Sequence, residues 1–349
     1  MIRKIVVGLD NSDLGLNALQ QATTFAQSCD AELKLVHVLM DNEPGAPRFN
    51  GYFGGPIYPS INTTMVESYQ TDWNRFVERS QAMLDQQVSD TRKADVNTSG
   101  VLLYGSPGVK LCEIAETWDA DLVVVGSRGL AGISELLIGS VSNHVMHHAP
   151  CSVLVIHGAK QPTVKNSQTE KKIKRILVAL DRSEISMKSM QSAVAIAKLH
   201  QADIRLVHVI DDDEPGMPQK LIFSDSQYIL QHSELLFAEY QQEWNRFVNS
   251  WWLWLQQCVD ELEGEGVDAI CDVMQGRTGQ RICEVAQDWS ADLIVVGFRG
   301  FSGLQELLTG SVSYYVSHRA PCSVFVNRPE LAVSDEPHRT KTSRQVVAS

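Results

Sequence analysis

Short runs of consecutive apolar residues alternate along this chain with longer stretches in which apolar positions recur every three or four residues. The first pattern predicts strands buried on both faces and the second predicts amphipathic helices; their alternation predicts a parallel sheet with helices on both sides. In the first half, strands are expected at Ile2–Leu9, Leu33–Leu39, Val101–Tyr104, Leu122–Gly126 and Ser152–Ile156. Helices are expected at Ser12–Cys29, Met65–Val88, Lys110–Trp118 and Ser140–His148. Residues 41–64, rich in Gly, Pro, Asn and Tyr, read as a long loop.

The same text is then written again. VVVGSRGLAGISELLIGSVS, residues 123–142, returns as VVGFRGFSGLQELLTGSVS, ending at Ser313, and each matched pair lies 171 positions apart. The offset also carries Asp10 onto Asp181, Val36-His37-Val38 onto Val207-His208-Val209, Glu43-Pro44-Gly45 onto Glu214-Pro215-Gly216, and Ala149-Pro150-Cys151 onto Ala320-Pro321-Cys322. A repeat of this length is a whole domain, since solenoid units run to roughly 50 residues at most. The chain therefore divides into a first domain at 1–157, a polar linker at 158–171, a second domain at 172–328 and a tail at 329–349 expected to be disordered.

Composition narrows the function. A net charge of −12 argues against a broad nucleic-acid or anionic-membrane surface, because either needs a basic stripe. No apolar run reaches the length of a membrane span, and the N-terminus MIRKIVVGLD starts a strand at once without a signal-peptide core. The seven cysteines, an odd number partly inside apolar segments, read as reduced thiols of a cytoplasmic protein, and no zinc-type spacing occurs.

The glycines carry the candidate chemistry. In an open parallel sheet, ligands bind beyond the carboxyl ends of the strands where strand order reverses. Gly126 ends the fourth strand and Asp10 the first, so a strand order of 3-2-1-4-5 would aim both at one crevice. Gly139-Ser140 stands where the next helix begins, and a helix N-terminus presents unpaired N–H groups suited to phosphate without a lysine. Ser140 and Ser142 are expected to cap that helix or donate hydroxyls to a phosphate, with Arg128 and Arg299 adding charge nearby. Turn-making alone is the competing reading of these glycines.

The spacing G-x2-G-x9-G-[ST], the aspartate after the first strand, the VHV strand and the closing APCSVLV strand resemble the universal stress protein family, over residues 1–157 and again 172–328. The resemblance implies two tandem Rossmann-like α/β domains of flavodoxin-like order 3-2-1-4-5, each a five-stranded parallel sheet binding ATP across the switch point. By position, Asp10 and Val38 would contact the adenine, Gly126 and Gly129 the ribose and phosphates, and Gly139, Ser140, Val141 and Ser142 the phosphate chain. In the second half these are Asp181, Val209, Gly297, Gly300, Gly310, Ser311, Val312 and Ser313. Family members pair through their fifth strands, which here would join the halves of one chain and leave room for further oligomerisation. ADP or AMP would fit the same site, and Asp10 and Asp181 would serve either the base or a magnesium ion.

Two departures mark the second half. Gly105-Ser106-Pro107-Gly108 after the third strand becomes Gly276-Arg277-Thr278-Gly279, which is expected to loosen a turn near the ligand, and Ser127 becomes Phe298, which would stack on a base or obstruct the pocket.

His37 and His208, set between valines, read as sheet histidines with a fixed partner rather than catalysts. In the second half, Trp244, Phe247, Val248, Trp251, Trp254, Leu255 and Cys258 form one apolar helical stripe. Trp252 falls off it, either as a contact for a partner or buried under a long loop at 211–233. The expected function is a stress-type regulatory protein that binds adenine nucleotide and an unidentified protein partner. With no Walker lysine or positioned base, hydrolysis is expected to be absent or slow. A nucleotide-free interaction scaffold or chaperone-like partner is the alternative; an adenylating ligase is weakened because GLDNSD stands where an SGGxDS loop would be.

Overall fold

The structure, a computed structural model, describes residues 2–10, 12–43, 45–48, 63–127, 138–157, 173–212, 214–218, 227–298 and 312–328. The first half contains β1 (Lys4–Leu9), α1 (Asp13–Cys29), β2 (Glu32–Leu39), α2 (Thr63–Lys93), β3 (Thr98–Tyr104), α3 (Pro107–Thr117), β4 (Leu122–Gly126), α4 (Ser140–His148) and β5 (Ser152–Ile156). The second repeats it as β6 (Arg175–Ala179), α5 (Glu184–His200), β7 (Asp203–Ile210), α6 (Gln227–Gly264), β8 (Ala269–Gln275), α7 (Thr278–Asp288), β9 (Leu293–Gly297), α8 (Val312–Arg319) and β10 (Ser323–Asn327).

The strands join into one ten-stranded sheet in the order β3-β2-β1-β4-β5-β10-β9-β6-β7-β8. Each half has the expected 3-2-1-4-5 order, and all pairings within a half are parallel. At the centre, β5 and β10 run antiparallel, with Phe325 opposite Leu154 and Val324 opposite Val155. The intramolecular pairing implied by the resemblance is therefore present.

The pleat sends alternate residues to opposite faces, and both faces are apolar, so the sheet needs helices on each. Ile5, Leu33, Leu154 and Phe325 pack with residues of α1, α2, α5 and α6, while Val6, Val36, Val155 and Val324 pack with α3, α4, α7 and α8. Each fully buried side chain of this size contributes about 1.5–3 kcal/mol of transfer free energy.

Several boundaries differ from the sequence pattern for local reasons. The first strand begins at Lys4, not Ile2. α3 begins at Pro107, where a missing N–H costs nothing because a first-turn amide has no helical partner. α2 runs five residues beyond Val88, and Arg92 and Lys93 lie in its last turn, where cations suit the helix end. The Arg92 guanidinium also donates to the Thr98 carbonyl at 2.8 Å, tying α2 to β3. α6 begins at Gln227, so it occupies the later part of the segment read as loop at 211–233.

Candidate functional site

The carboxyl ends of β1 and β4 lie side by side, with α1 leaving to one face and α4 to the other. Asp10 follows β1 and is tied into the start of α1. Its Oδ1 accepts from the Ser12 N–H at 3.2 Å and from the Ser12 hydroxyl, whose oxygen in turn accepts from the Gly15 N–H at 3.0 Å and caps the helix. A cap of this kind stabilises by about 1 kcal/mol. Gly15 is needed for the close fit, since a Cβ there would stand 2.5 Å from Asp10 Oδ1.

Asp181 repeats the motif with a different neighbour. The Ser183 N–H and hydroxyl reach Asp181 Oδ1 at 3.1 and 2.5 Å, but Ser186 replaces the glycine. The Ser186 hydroxyl accepts from the Asp181 N–H at 3.3 Å and donates to the Ser183 carbonyl at 2.9 Å.

Past β4, Ser127 is buried and its carbonyl receives the Gly139 N–H at 2.6 Å, which folds the chain back to begin α4 beside the crevice. Gly139 is the N-cap residue in extended conformation (φ −66°, ψ 158°), and no side chain caps the helix. α1 and α5, by contrast, are capped by Ser12 and Ser183. An uncapped first turn keeps its amide donors for a ligand. Ser140 is exposed and Val141 half-buried there.

The described geometry bears on four expectations. The Ser142 hydroxyl donates to the Ser127 and Gly139 carbonyls at 3.2 and 3.0 Å and so braces the turn. Ser142 and Ser313 are both buried. The Val38 and Val209 side chains are core residues, which leaves only their backbone at the strand ends. The turn before α7 is not loosened by loss of proline, because Asp211 accepts from the Thr278 N–H at 3.3 Å and the Thr278 hydroxyl at 3.1 Å. Phe298 is half-buried under the Arg328 guanidinium, 4.0 Å from the ring centroid, so one of its faces is already taken.

Gly126 and Gly297 end β4 and β9 as expected, and a Cβ on Gly297 would stand 2.6 Å from Ile185 Cγ2 at the start of α5. Val312 begins α8. Arg128, Gly129, Arg299, Gly300, Gly310 and Ser311 lie outside the described residues.

His37 and His208 have the fixed partners expected of them. Each ring donates from Nδ1 to a carbonyl of the neighbouring strand end, Leu9 at 3.0 Å and Leu180 at 2.8 Å; a carbonyl only accepts, which sets the tautomer. His37 Nε2 lies 3.4 Å from Glu43 Oε1, both buried, and burial pushes the Glu43 carboxyl up despite the histidine beside it.

The second half fills this region differently. Trp251 is stacked on His208 with centroids 3.6 Å apart, and the Arg182 guanidinium covers Trp251 at 3.8 Å while donating to the Ser250 carbonyl. Arg182 reaches this position from a left-handed backbone (φ 61°). The sequence signal for the stack was the exchange of Ser80 for Trp251 at equivalent positions.

None of the seven cysteines is in a disulfide; one is buried and six are half-buried. Burial pushes the Cys151 thiol up to about 12 and those of Cys112, Cys258 and Cys283 to about 11, so none of these four is a thiolate at neutral pH. A separate groove of about 730 Å³ beside α2, bordered by Asp72, Arg75 and Arg79, includes none of the site residues. No described helix is long and apolar enough to cross a membrane.

Comparison with known proteins supplies the context for this geometry. A family model described as the universal stress protein family matches residues 1–51, 59–157 and 172–328. A universal stress protein of Mycobacterium tuberculosis is 30% identical over 327 residues, covering 93% of this chain and 96% of that protein. A universal stress protein of Synechocystis is 35% identical over 158 residues, covering 44% of this chain and 96% of the relative. Among solved structures, a universal stress protein from Archaeoglobus fulgidus superposes with a TM-score of 0.58 at 17% identity, covering 93% of this chain and 98% of that one.

Proposed function

This chain belongs to the universal stress protein family, and on that premise we propose that it is a stress-response regulator whose halves each bind an adenine nucleotide at the carboxyl ends of the strands. The observation that carries the reading is the start of α4. A glycine N-cap, an uncapped first turn and the neighbouring Asp10 converge where strand order reverses. Phosphates would be received by the first-turn amides behind Gly139 and, by repetition, Gly310. Asp10 Oδ2, which takes no part in the Ser12 cap, is the oxygen available to an exocyclic amine or to magnesium.

The residues named here bind and orient; none supplies a base for rapid hydrolysis. Nucleotide would therefore act as a signal that orders the loops around the site, and a protein partner would read that order. Denaturing freshly purified protein and identifying any released nucleotide by chromatography tests the reading. One ATP or ADP per half supports it. No release, and no binding when ATP and magnesium are restored, would leave the glycines as turn-makers and the protein as a scaffold.

A further inference from the structure

α4 opens with the Gly139 turn of the first half, yet the second half holds it near both ends. Ahead of its first turn, the Ile138 N–H lies 3.5 Å from Nδ1 of His318 in α8. Toward its end, the Arg328 guanidinium donates to the Met146 carbonyl, and the Arg328 N–H donates to the Ser152 hydroxyl at 3.2 Å. Between these points the His147 ring lies 5.6 Å from Tyr314, whose ring lies 4.2 Å from His318.

We propose that His318 is a positioning residue for the phosphate-facing turn of the first half, and that protonating it releases that turn. An amide N–H can only donate, so Nδ1 must carry the lone pair and the ring proton must sit on Nε2. Protonation places a second N–H on Nδ1, and two donors then face each other. Ile138 immediately precedes Gly139, whose own N–H is bonded to Ser127, so a shift at Ile138 displaces the first amides of α4. This step rests on the nucleotide reading above.

The groups around His318 keep it neutral near pH 7. Burial, His147 from α4 and Arg319 from α8 all push its pKa below the ordinary histidine value. His147 is held down in the same direction by burial, His148, Arg328 and His144. With that sign, the contact is present at neutral pH and is lost on acidification.

The test uses the full chain. In labelled protein without nucleotide, the Ile138 amide is followed by NMR between pH 5 and 8 alongside the His318 ring. A shared midpoint below the ordinary histidine value, abolished by His318→Gln, is the expected result; an Ile138 amide that ignores both pH and the substitution overturns the contact. ATP binding with magnesium is then measured in a Gly310→Val background, leaving the first half to titrate. His318→Ala should weaken binding between about two- and ten-fold, the range of one neutral hydrogen bond. His318→Gln, whose amide oxygen still accepts, should restore affinity and flatten its pH dependence. Equal affinity in the alanine variant, or an unchanged pH profile in the glutamine variant, removes the positioning role. If the background binds no ATP while the NMR result stands, the nucleotide reading of the first half fails and the proton-sensitive contact survives.

Discussion

Trp251 stacks on His208 with ring centroids 3.6 Å apart, and the equivalent positions of the first half hold Ser80 and His37. The indole is 5% exposed and is covered on its other side by Arg182, whereas its neighbour Trp252 is 45% exposed. One turn of α6 thus carries two tryptophans with opposite surroundings. Trp251→Ala should destabilise the protein by about 3–5 kcal/mol, the cost of emptying a buried aromatic site. Trp252→Ala should change stability by less than about 0.5 kcal/mol. Denaturant unfolding compares the two directly. If Trp252 also serves as a partner contact, its loss lowers the native mass seen by light scattering; an unchanged mass removes that role.

Gly139 has a backbone conformation that a β-branched residue adopts readily, so Gly139→Val should leave the fold largely intact while placing side-chain bulk over the first turn of α4. Gly139→Val and Gly310→Val together should abolish ATP binding, with each single variant removing one half's share. Calorimetric titration decides this, and wild-type affinity in the double variant would sink the phosphate-turn assignment.

His144, His147, His208 and His318 all titrate below the ordinary histidine value, with burial the largest cause in each. The unfolded chain therefore takes up protons at higher pH than the folded one, and stability should rise with pH through the window below about 6.5. Glu43 has the opposite sign, because burial raises its carboxyl, but that window opens lower, near the ordinary carboxylate value. Urea unfolding at pH 5.5 and 7.5 should show the histidine effect. Replacing His147 and His318 by glutamine should shrink the difference between the two curves.

Phe325 is 1% exposed and sits on β10 opposite Leu154 of β5, where the halves meet. Phe325→Ala should cost about 3–5 kcal/mol. Because the residue belongs to both halves' packing, the loss should appear as separation of a single unfolding transition into two. Calorimetry would reveal one or two heat-absorption peaks.

Much of the fold was legible because the local signals agreed with one another. Gly139 before α4 and Pro150 after it fixed that helix to the residue, and the constant offset between copies transferred the order of elements to the second half, though not the early start of α6. Helix α2 was read short because residues 89–93 are polar and its last turn is set by Arg92 reaching Thr98, a contact the pattern does not encode. The ends of β1 and β4 and the start of α4 were legible in Asp10, Gly126 and Gly139, each at the end of a strongly patterned element. The orientation of Ser142 was not, since a serine hydroxyl in a first turn has both solvent and backbone partners available. His318 and Arg328 were missed for a different reason. Their partners, Ile138 and Met146, are about as far away in sequence as one domain is long, and only the antiparallel seam brings them together.

That seam has a consequence for how the molecule behaves on dilution. Two separate chains that met edge to edge would part as their concentration fell, whereas here the second edge is supplied by the same polypeptide. The local concentration of β10 around β5 is set by the tether and not by how much protein a cell makes. A chain built this way keeps its paired architecture when few copies are present.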